Sequence, residues 1–286
     1  MVRGQESALG NYHTHSRYDD GQGDLEEYVR EAVRRGLRYL GFSGHAPMAV
    51  GASWLMTDEG LDRYLADFVR IKPLYEDRIG LLLGLEVDYL PGLSAPRSSR
   101  MEGLGLDYVL GSVHFVSTPN EGGGWTVDGP AEELDRGLEL EFGGDMGAAV
   151  REYYRRVAEM VRVSPPDIVG HFDLVKKNNR AESRFSESSP WYREAVRGAL
   201  DAVASSPCVL EVNTGGLTRG TTDTVYPAPW ILAEVRERGI GVVLGSDAHR
   251  PTDVDGYFAH AIELVRAAGF RSRMLLTEGG WRELRL

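Results

Sequence analysis

Hydrophobic positions along the chain alternate between two periods. Short apolar runs of strand character recur at LGNYHTH, RYLGFSGH, IGLLLGLEVDY, LDYVLGSVHF, DIVGHFD, CVLEVNTGG and GVVLGSDAH. Stretches of helical period lie between them. The clearest runs from Asp24 to Arg35: a capping aspartate and an acidic first turn lead into Leu25, Tyr28, Val29, Ala32 and Val33 on one face, and Gly36 follows. Further helices are predicted over LDRYLADFVRIKPLY and near Met146 to Val163, Trp191 to Ala204, Trp230 to Arg238 and Val254 to Ala267. This makes about seven strand–helix units, which predicts an α/β chain folded as a distorted TIM-like (β/α)7 barrel. The stretch TPNEGGGWTVDGPAEEL follows neither period and reads as a loop or lid over one mouth, with Gly122, Gly123 and Gly124 permitting mobility.

Composition narrows this picture. The 286 residues suffice for one large barrel, and no linker or low-complexity run divides them, so residues 1–286 read as a single domain. Asp and Glu number 43 against 32 Lys and Arg, a formal charge of −11 that argues against a broad nucleic-acid-binding face but not against a small anionic substrate. Cys208 is the one cysteine, and neither a leader-like start nor an apolar run of membrane-spanning length is present. The expectation is a cytoplasmic protein without a membrane partner.

Six of the seven histidines sit in the strand-end segments: His13 and His15, His45, His114, His171 and His249. His260, within the amphipathic YFAHAIELV, is read as an ordinary helix residue. The C-terminal ends of parallel barrel strands are where barrel enzymes assemble their chemistry. Asp20, Glu86 and Asp247 recur beside these histidines. Nine nitrogen and oxygen donors exceed what one tetrahedral ion takes, so two or three divalent ions sharing ligands are expected, with zinc, iron and manganese all compatible. Such centres hydrolyse phosphate esters.

The segments HTHS with DDG following, LGFSGHAP, GLEVDY, GSVHF, GHFDLVKK, LEVNTGGLTRG and GSDAH resemble, in order and over nearly the whole chain, the polymerase and histidinol phosphatase (PHP) superfamily, and within it the histidinol-phosphate phosphatases. The resemblance implies three divalent ions. His13, His15, Glu86 and Asp247 would hold the first, with Glu86 bridging to a second on His114 and His171. Asp20, His45 and His249 would hold the third, Asp20 being preferred to Asp19 because the second aspartate of DDG aligns with the family's DG. It further implies hydrolysis of L-histidinol phosphate to L-histidinol and phosphate by a metal-bridging hydroxide, with Glu86, Asp247 and His249 in the catalytic centre. Asp247 or His249 could protonate the leaving alkoxide, and the two stay open. Lys176, with Lys177 as alternative, and Arg219 are expected to bind the phosphate. Glu121, Asp128, Glu132 and Glu133 offer carboxylates to the substrate amine. The rival readings are a phosphatase for a sugar phosphate or nucleotide, and a PHP-type exonuclease, against which the acidic balance and the missing aromatic-basic platform count.

Overall fold

The strands pair in the order in which they occur. In the computed structural model, which describes residues 9–50, 52–117 and 125–286, seven strands form one parallel sheet: β1 (Gly10–Asn11), β2 (Tyr39–Phe42), β3 (Gly80–Asp88), β4 (Tyr108–Ser112), β5 (Ile168–Val169), β6 (Val209–Asn213) and β7 (Val242–Gly245). The sheet curls until its edges meet. Thr14 bridges Ala248, and the His15 N–H donates to the Ala248 carbonyl at 2.9 Å. Asn11 locks this seam: its Nδ2 donates to Ser246 Oγ at 2.7 Å and its Oδ1 accepts the Ser246 N–H at 3.0 Å. The result is the nearly closed (β/α)7 barrel expected from the periodicity.

Helices α1 (Leu25–Arg35), α2 (Asp58–Tyr75), α3 (Ala131–Phe142), α4 (Met146–Val163), α5 (Pro190–Ala204), the short α6 (Gly215–Thr218), α7 (Pro229–Glu237) and α8 (Phe258–Ala267) lie along the connections between strands. Strand alternation decides what faces them. On β3, Leu81, Leu83, Leu85 and Val87 pack outward with Tyr28, Phe68 and Ile71. Each fully buried aliphatic side chain of this kind contributes about 1.5–3 kcal/mol. Leu82, Gly84, Glu86 and Asp88 share the other face of the strand. The lower barrel interior is apolar: Tyr12, Leu82, Tyr108, Leu110, Ile168, Val209 and Val243 pack together with Leu275 and Leu276.

The elements depart from the sequence expectation in several places: α8 starts at Phe258 and not at Val254, after a left-handed Tyr257, and the four-residue α6 carried no signal. Leu275 and Leu276 belong to an antiparallel hairpin, β8 (Ser272–Thr277) with β9 (Gly280–Arg285), that no strand-helix period announced. Helix α3 begins inside the stretch read as a loop; its apolar stripe is Leu134, Leu138 and the half-buried Phe142, with Gly137 pressed against Trp125, and most of it lies beyond the end of that stretch. Residues Gly122 to Gly124 lie outside the described residues. Among those described, no helix is long and apolar enough to cross a membrane.

Candidate metal centre

The inner face of the barrel changes character from bottom to top along each strand. On β3 it runs Leu82, Gly84, Glu86, Asp88; on β4 and just beyond, Tyr108, Leu110, Ser112, His114; on β6, Val209, Glu211, Asn213. The upper groups converge on Glu86, which is fully buried. Its Oε2 lies 3.1 Å from His13 Nε2, 3.5 Å from His15 Nε2 and 3.4 Å from His45 Nδ1. Its Oε1 lies 3.0 Å from His171 Nε2 and 3.8 Å from His114 Nε2, and accepts from Ser112 Oγ at 2.5 Å. Asp247 faces the same point from the β7 end, with Oδ1 3.2 Å from His15 Nε2 and 3.4 Å from His249 Nδ1. Its φ of 49° is in the left-handed region, which aspartate tolerates better than most residues. Gly215 makes room for it, since a Cβ there would stand 2.8 Å from the Asp247 carboxylate.

Three further carboxylates set the imidazole orientations, two of them not foreseen in the sequence and one, Asp19, foreseen only as the alternative to Asp20. Glu211 Oε1 is 2.7 Å from His13 Nδ1, Asp19 Oδ2 is 2.6 Å from His15 Nδ1, and Asp88 Oδ1 is 2.7 Å from His114 Nδ1. A carboxylate at Nδ1 holds the proton there and turns a bare Nε2 toward the centre, as metal-binding histidines require. Glu211 also accepts the His171 N–H at 2.8 Å, and Gly245 leaves the space it occupies. Asp88 was within reach of sequence reasoning, because two residues after Glu86 on a strand means the same face. Glu211 carried a weaker signal, a carboxylate inside an otherwise apolar strand.

The adjacent aspartates divide their work. Asp19 engages both oxygens inside the protein, accepting the Ser16 N–H at 2.8 Å and the His45 N–H at 3.0 Å besides meeting His15. Asp20 lines the cavity, with Oδ1 3.3 Å from His249 Nε2.

All nine residues expected to bind metal fall into groups of three whose donor atoms lie within 4.8 Å of one another: His13, Glu86 and His171; His13, His15 and Asp247; His15, Asp20 and His249; His15, His45 and Glu86; and His45 and His114 with Asp88. His45 thus groups with Glu86 and His15, not with Asp20 and His249 as the resemblance implied. The donor set fits divalent cations. Buried His15 Nε2 and His45 Nδ1 make no hydrogen bond, although both point at the Glu86 carboxylate. Lone pairs facing a carboxylate repel unless a proton or a cation stands between them.

The electrostatics show the same competition. Burial, the largest influence on His15, pulls its pKa down, but Asp19, Asp247 and Asp20 together push it up to about 10. At His114 burial is likewise overcome, chiefly by Asp88, and the value also reaches about 10. Burial wins at His45 and lowers it. Glu86 is pushed up by burial yet held well below the usual carboxylate range by His13, His45 and His171. For Asp247 the opposing charges are Arg219 and His13.

Above the centre opens a cavity of about 590 Å³. Arg219 lines it, its guanidinium donating to the Asp247 carboxylate at 2.9 Å and to the Asp247 carbonyl at 2.7 Å. Lys176 requires a correction. It is buried away from the cavity, its ammonium 2.8 Å from Asp173 and donating to the Val225 carbonyl at 3.2 Å. The turn Leu174–Lys176 sends consecutive lysines in different directions, and Lys177 is the one that reaches the cavity, 3.2 Å from Asp128. Of the carboxylates expected near the mouth, Asp128 and Glu133 line the cavity, Glu132 does not, and Glu121 lies outside the described residues. Burial raises the Asp128 pKa, but Lys177, His114 and His171 more than reverse it, to about 2.

Comparison with known proteins adds to this geometry. The family model described as PHP domain matches residues 11–215. A protein of Deinococcus radiodurans named "Probable histidinol-phosphatase" is 35% identical over 255 residues, covering 87% of this chain and 89% of that protein. The histidinol-phosphatase of Bacillus subtilis is 28% identical, over 87% of this chain and 95% of its own. Among solved structures, the histidinol phosphate phosphatase of Lactococcus lactis, complexed with zinc, L-histidinol and phosphate, superposes with a TM-score of 0.71 at 22% identity, covering 96% of this chain and 98% of that one.

Proposed function

We propose that this chain, which belongs to the PHP domain family and to its histidinol-phosphatases, hydrolyses L-histidinol phosphate to L-histidinol and orthophosphate as a cytoplasmic enzyme of histidine biosynthesis. The observation that carries the reading is the convergence of imidazole and carboxylate donors from successive strand ends on Glu86, beneath a cavity large enough for a small phosphomonoester. We read residues 1–286 as one such domain.

The donors would hold up to three divalent cations: one on His13, His15, Glu86 and Asp247, one on Glu86, His114 and His171, and one on Asp20 and His249, which share their reach with His15, while His45 stands with Glu86 and His15. The Lactococcus lactis protein binds zinc, and zinc is the first choice here, with iron and manganese compatible with the same donors. Bound divalent cations supply an acidified water as nucleophile at neutral pH and offset the charge that develops on the phosphoryl oxygens.

The chain's own residues supply the rest. Glu86 keeps both oxygens turned into the centre because Ser112 and five imidazoles surround it. Glu211, Asp19 and Asp88 hold the proton on the outer nitrogen of His13, His15 and His114. Arg219 presents a guanidinium fixed by Asp247 to the phosphate, a planar donor suited to two phosphate oxygens. Burial of the cluster at the base of the cavity limits competing water.

The test is phosphate release from L-histidinol phosphate beside sugar phosphates, nucleotides and short DNA, using protein stripped of metal and then given zinc, manganese or iron separately. Metal-restored preference for L-histidinol phosphate is expected. Preference for another monoester rejects the substrate but keeps the centre, and activity on DNA alone rejects both.

A further inference from the structure

The cavity wall beyond the metal centre holds one group whose role neither the ligand set nor phosphate binding exhausts. Expulsion of an alkyl alcohol from a phosphate ester leaves an alkoxide, a strong base that needs a proton as the P–O bond breaks. The six histidines of the centre are poor donors, since an imidazole that ligates a cation gives up its proton-carrying role at that nitrogen. Among the described residues outside the ligand set, Trp54, Thr126, Lys177, Arg219 and Tyr226 line the cavity and carry an N–H or O–H on the side chain. The indole and the threonine hydroxyl are not acidic. The Arg219 guanidinium never deprotonates in practice and is tied to Asp247. Burial pushes the Tyr226 phenol well above its usual value, which weakens it as a donor.

Lys177 remains, and its setting suits the task. Its side chain is about three-quarters buried, yet it opens on the cavity. The ammonium rests 3.2 Å from Asp128, whose carboxylate holds the lysine side chain at the cavity wall. A second contact fixes this pair, because the neighbouring Asn178 donates from Nδ2 to the Gly129 carbonyl at 3.0 Å. The same turn is anchored to the metal centre, with the Leu174 N–H donating to the His171 carbonyl at 2.9 Å. As a class, alkylammonium ions are far stronger acids than alcohols, so proton transfer to a departing alkoxide runs downhill.

We propose that Lys177 is the proton donor to the leaving alcohol oxygen, with Asp128 as its positioning residue. The inference rests on the reading of the chain as a phosphomonoesterase. In the step, a water oxygen forms the new bond to phosphorus while the ester P–O bond breaks. The departing oxygen takes a proton from Lys177 Nζ, the attacking water has released one to solvent, and solvent returns one to the lysine. The net reaction is hydrolysis, with no change of oxidation state.

The experiment compares metal-replete wild type with Lys177→Met, Lys177→Arg and Tyr226→Phe on L-histidinol phosphate and on a series of aryl phosphates ending in p-nitrophenyl phosphate, whose leaving group needs no proton. Lys177→Met is expected to lower kcat about 100-fold or more on L-histidinol phosphate but less than about fivefold on p-nitrophenyl phosphate. Its rates across the aryl series should depend more steeply on leaving-group basicity. Lys177→Arg keeps the charge but cannot donate, so it should show the same selectivity. Equal losses on all esters, recovery by arginine, or a leaving-group-selective loss in Tyr226→Phe instead would each overturn the assignment, the first two marking Lys177 as a phosphate-binding cation. Metal content and thermal midpoint, measured on every variant, separate these outcomes from misfolding. Wild type that turns over aryl esters but not L-histidinol phosphate rejects the substrate reading and leaves the aryl series to judge Lys177. Wild type inactive on all esters removes both.

Discussion

The two ends of the barrel interior are built on the same strands and obey opposite rules. At the bottom, the polar tips of large aromatic side chains are paired: Tyr12 donates its hydroxyl to the Leu276 carbonyl at 2.7 Å, and Tyr108 meets the Tyr12 and Phe42 carbonyls at 2.8 and 3.0 Å. At the top, His15 Nε2, His45 Nδ1, His171 Nδ1 and Asp88 Oδ2 are buried without a hydrogen bond. Unpaired buried polar atoms cost about 1–3 kcal/mol each. One end therefore generates stability, and the other is a destabilised arrangement kept in place by the rest and relieved by what binds there.

Separability of the ends is the first thing to break. Glu86→Gln keeps the shape and removes the carboxylate that five of the six histidines approach. It should reduce kcat/KM about 10³-fold and strip bound metal, with far-UV dichroism unchanged. Loss of the folded signal would mean that the top also holds the barrel together. Leu110→Ala makes the opposite cut, two residues below Ser112 on β4. A cavity there should cost about 2–5 kcal/mol in denaturant unfolding, while metal content and kcat per folded molecule stay within about twofold of wild type. A variant that loses metal along with stability would show the ends to be one cooperative unit.

The comparison also explains what could be read in the sequence. Strand-end histidines, and Glu86 within GLEVDY, were legible because barrel topology forces each strand's last inward residue toward one mouth, and apolar periodicity located the strand ends. The carboxylates that orient the histidines were not. Asp19 was weighed only as a rival ligand to Asp20, yet it lies behind His15. Glu211 meets His13 across 198 residues, a contact that depends on barrel closure and on the space beside Gly245. Lys176 and Lys177 could not be separated by spacing, since a single 3-10 turn decides which ammonium meets Asp173 and which the cavity. At the bottom, the hairpin β8–β9 gave no period because the buried apolar side chains it contributes, Leu275 and Leu276, are adjacent and pack on a core that only the closed barrel creates.

Glu211→Gln should act on the top of the barrel alone, with a smaller effect. The amide can still accept the His171 N–H, but its NH₂ turned toward His13 Nδ1 would shift the proton to Nε2 and spoil that nitrogen as a ligand. Metal affinity or activity should fall about 10- to 100-fold, the range for partners behind a metal-binding histidine. An unchanged affinity in a metal-buffered titration would demote Glu211 to a packing residue.

The smallest expected effect distinguishes the ends by pH. His15 and His114 in the metal-free protein have pKa values pushed up to about 10, chiefly by Asp19 and Asp88 against the pull of burial. A raised folded-state value contributes stability fully below the unfolded value of about 6.5, and that contribution is lost as pH climbs from there through about 10. Stability of the metal-free protein should therefore fall between pH 7 and 9, by at most about 1.4 kcal/mol per pH unit for each proton involved. With metal bound, the inner nitrogens are ligands, not proton acceptors, and the slope should flatten. The bottom contributes nothing in this window, because burial pushes Tyr12 and Tyr108 well above their usual range. Thermal midpoints of chelated and metal-replete protein at pH 7, 8 and 9 supply the check. Parallel curves would mean that protons and metal do not compete for these histidines, and the top of the barrel would then be a network of hydrogen bonds complete without a cation.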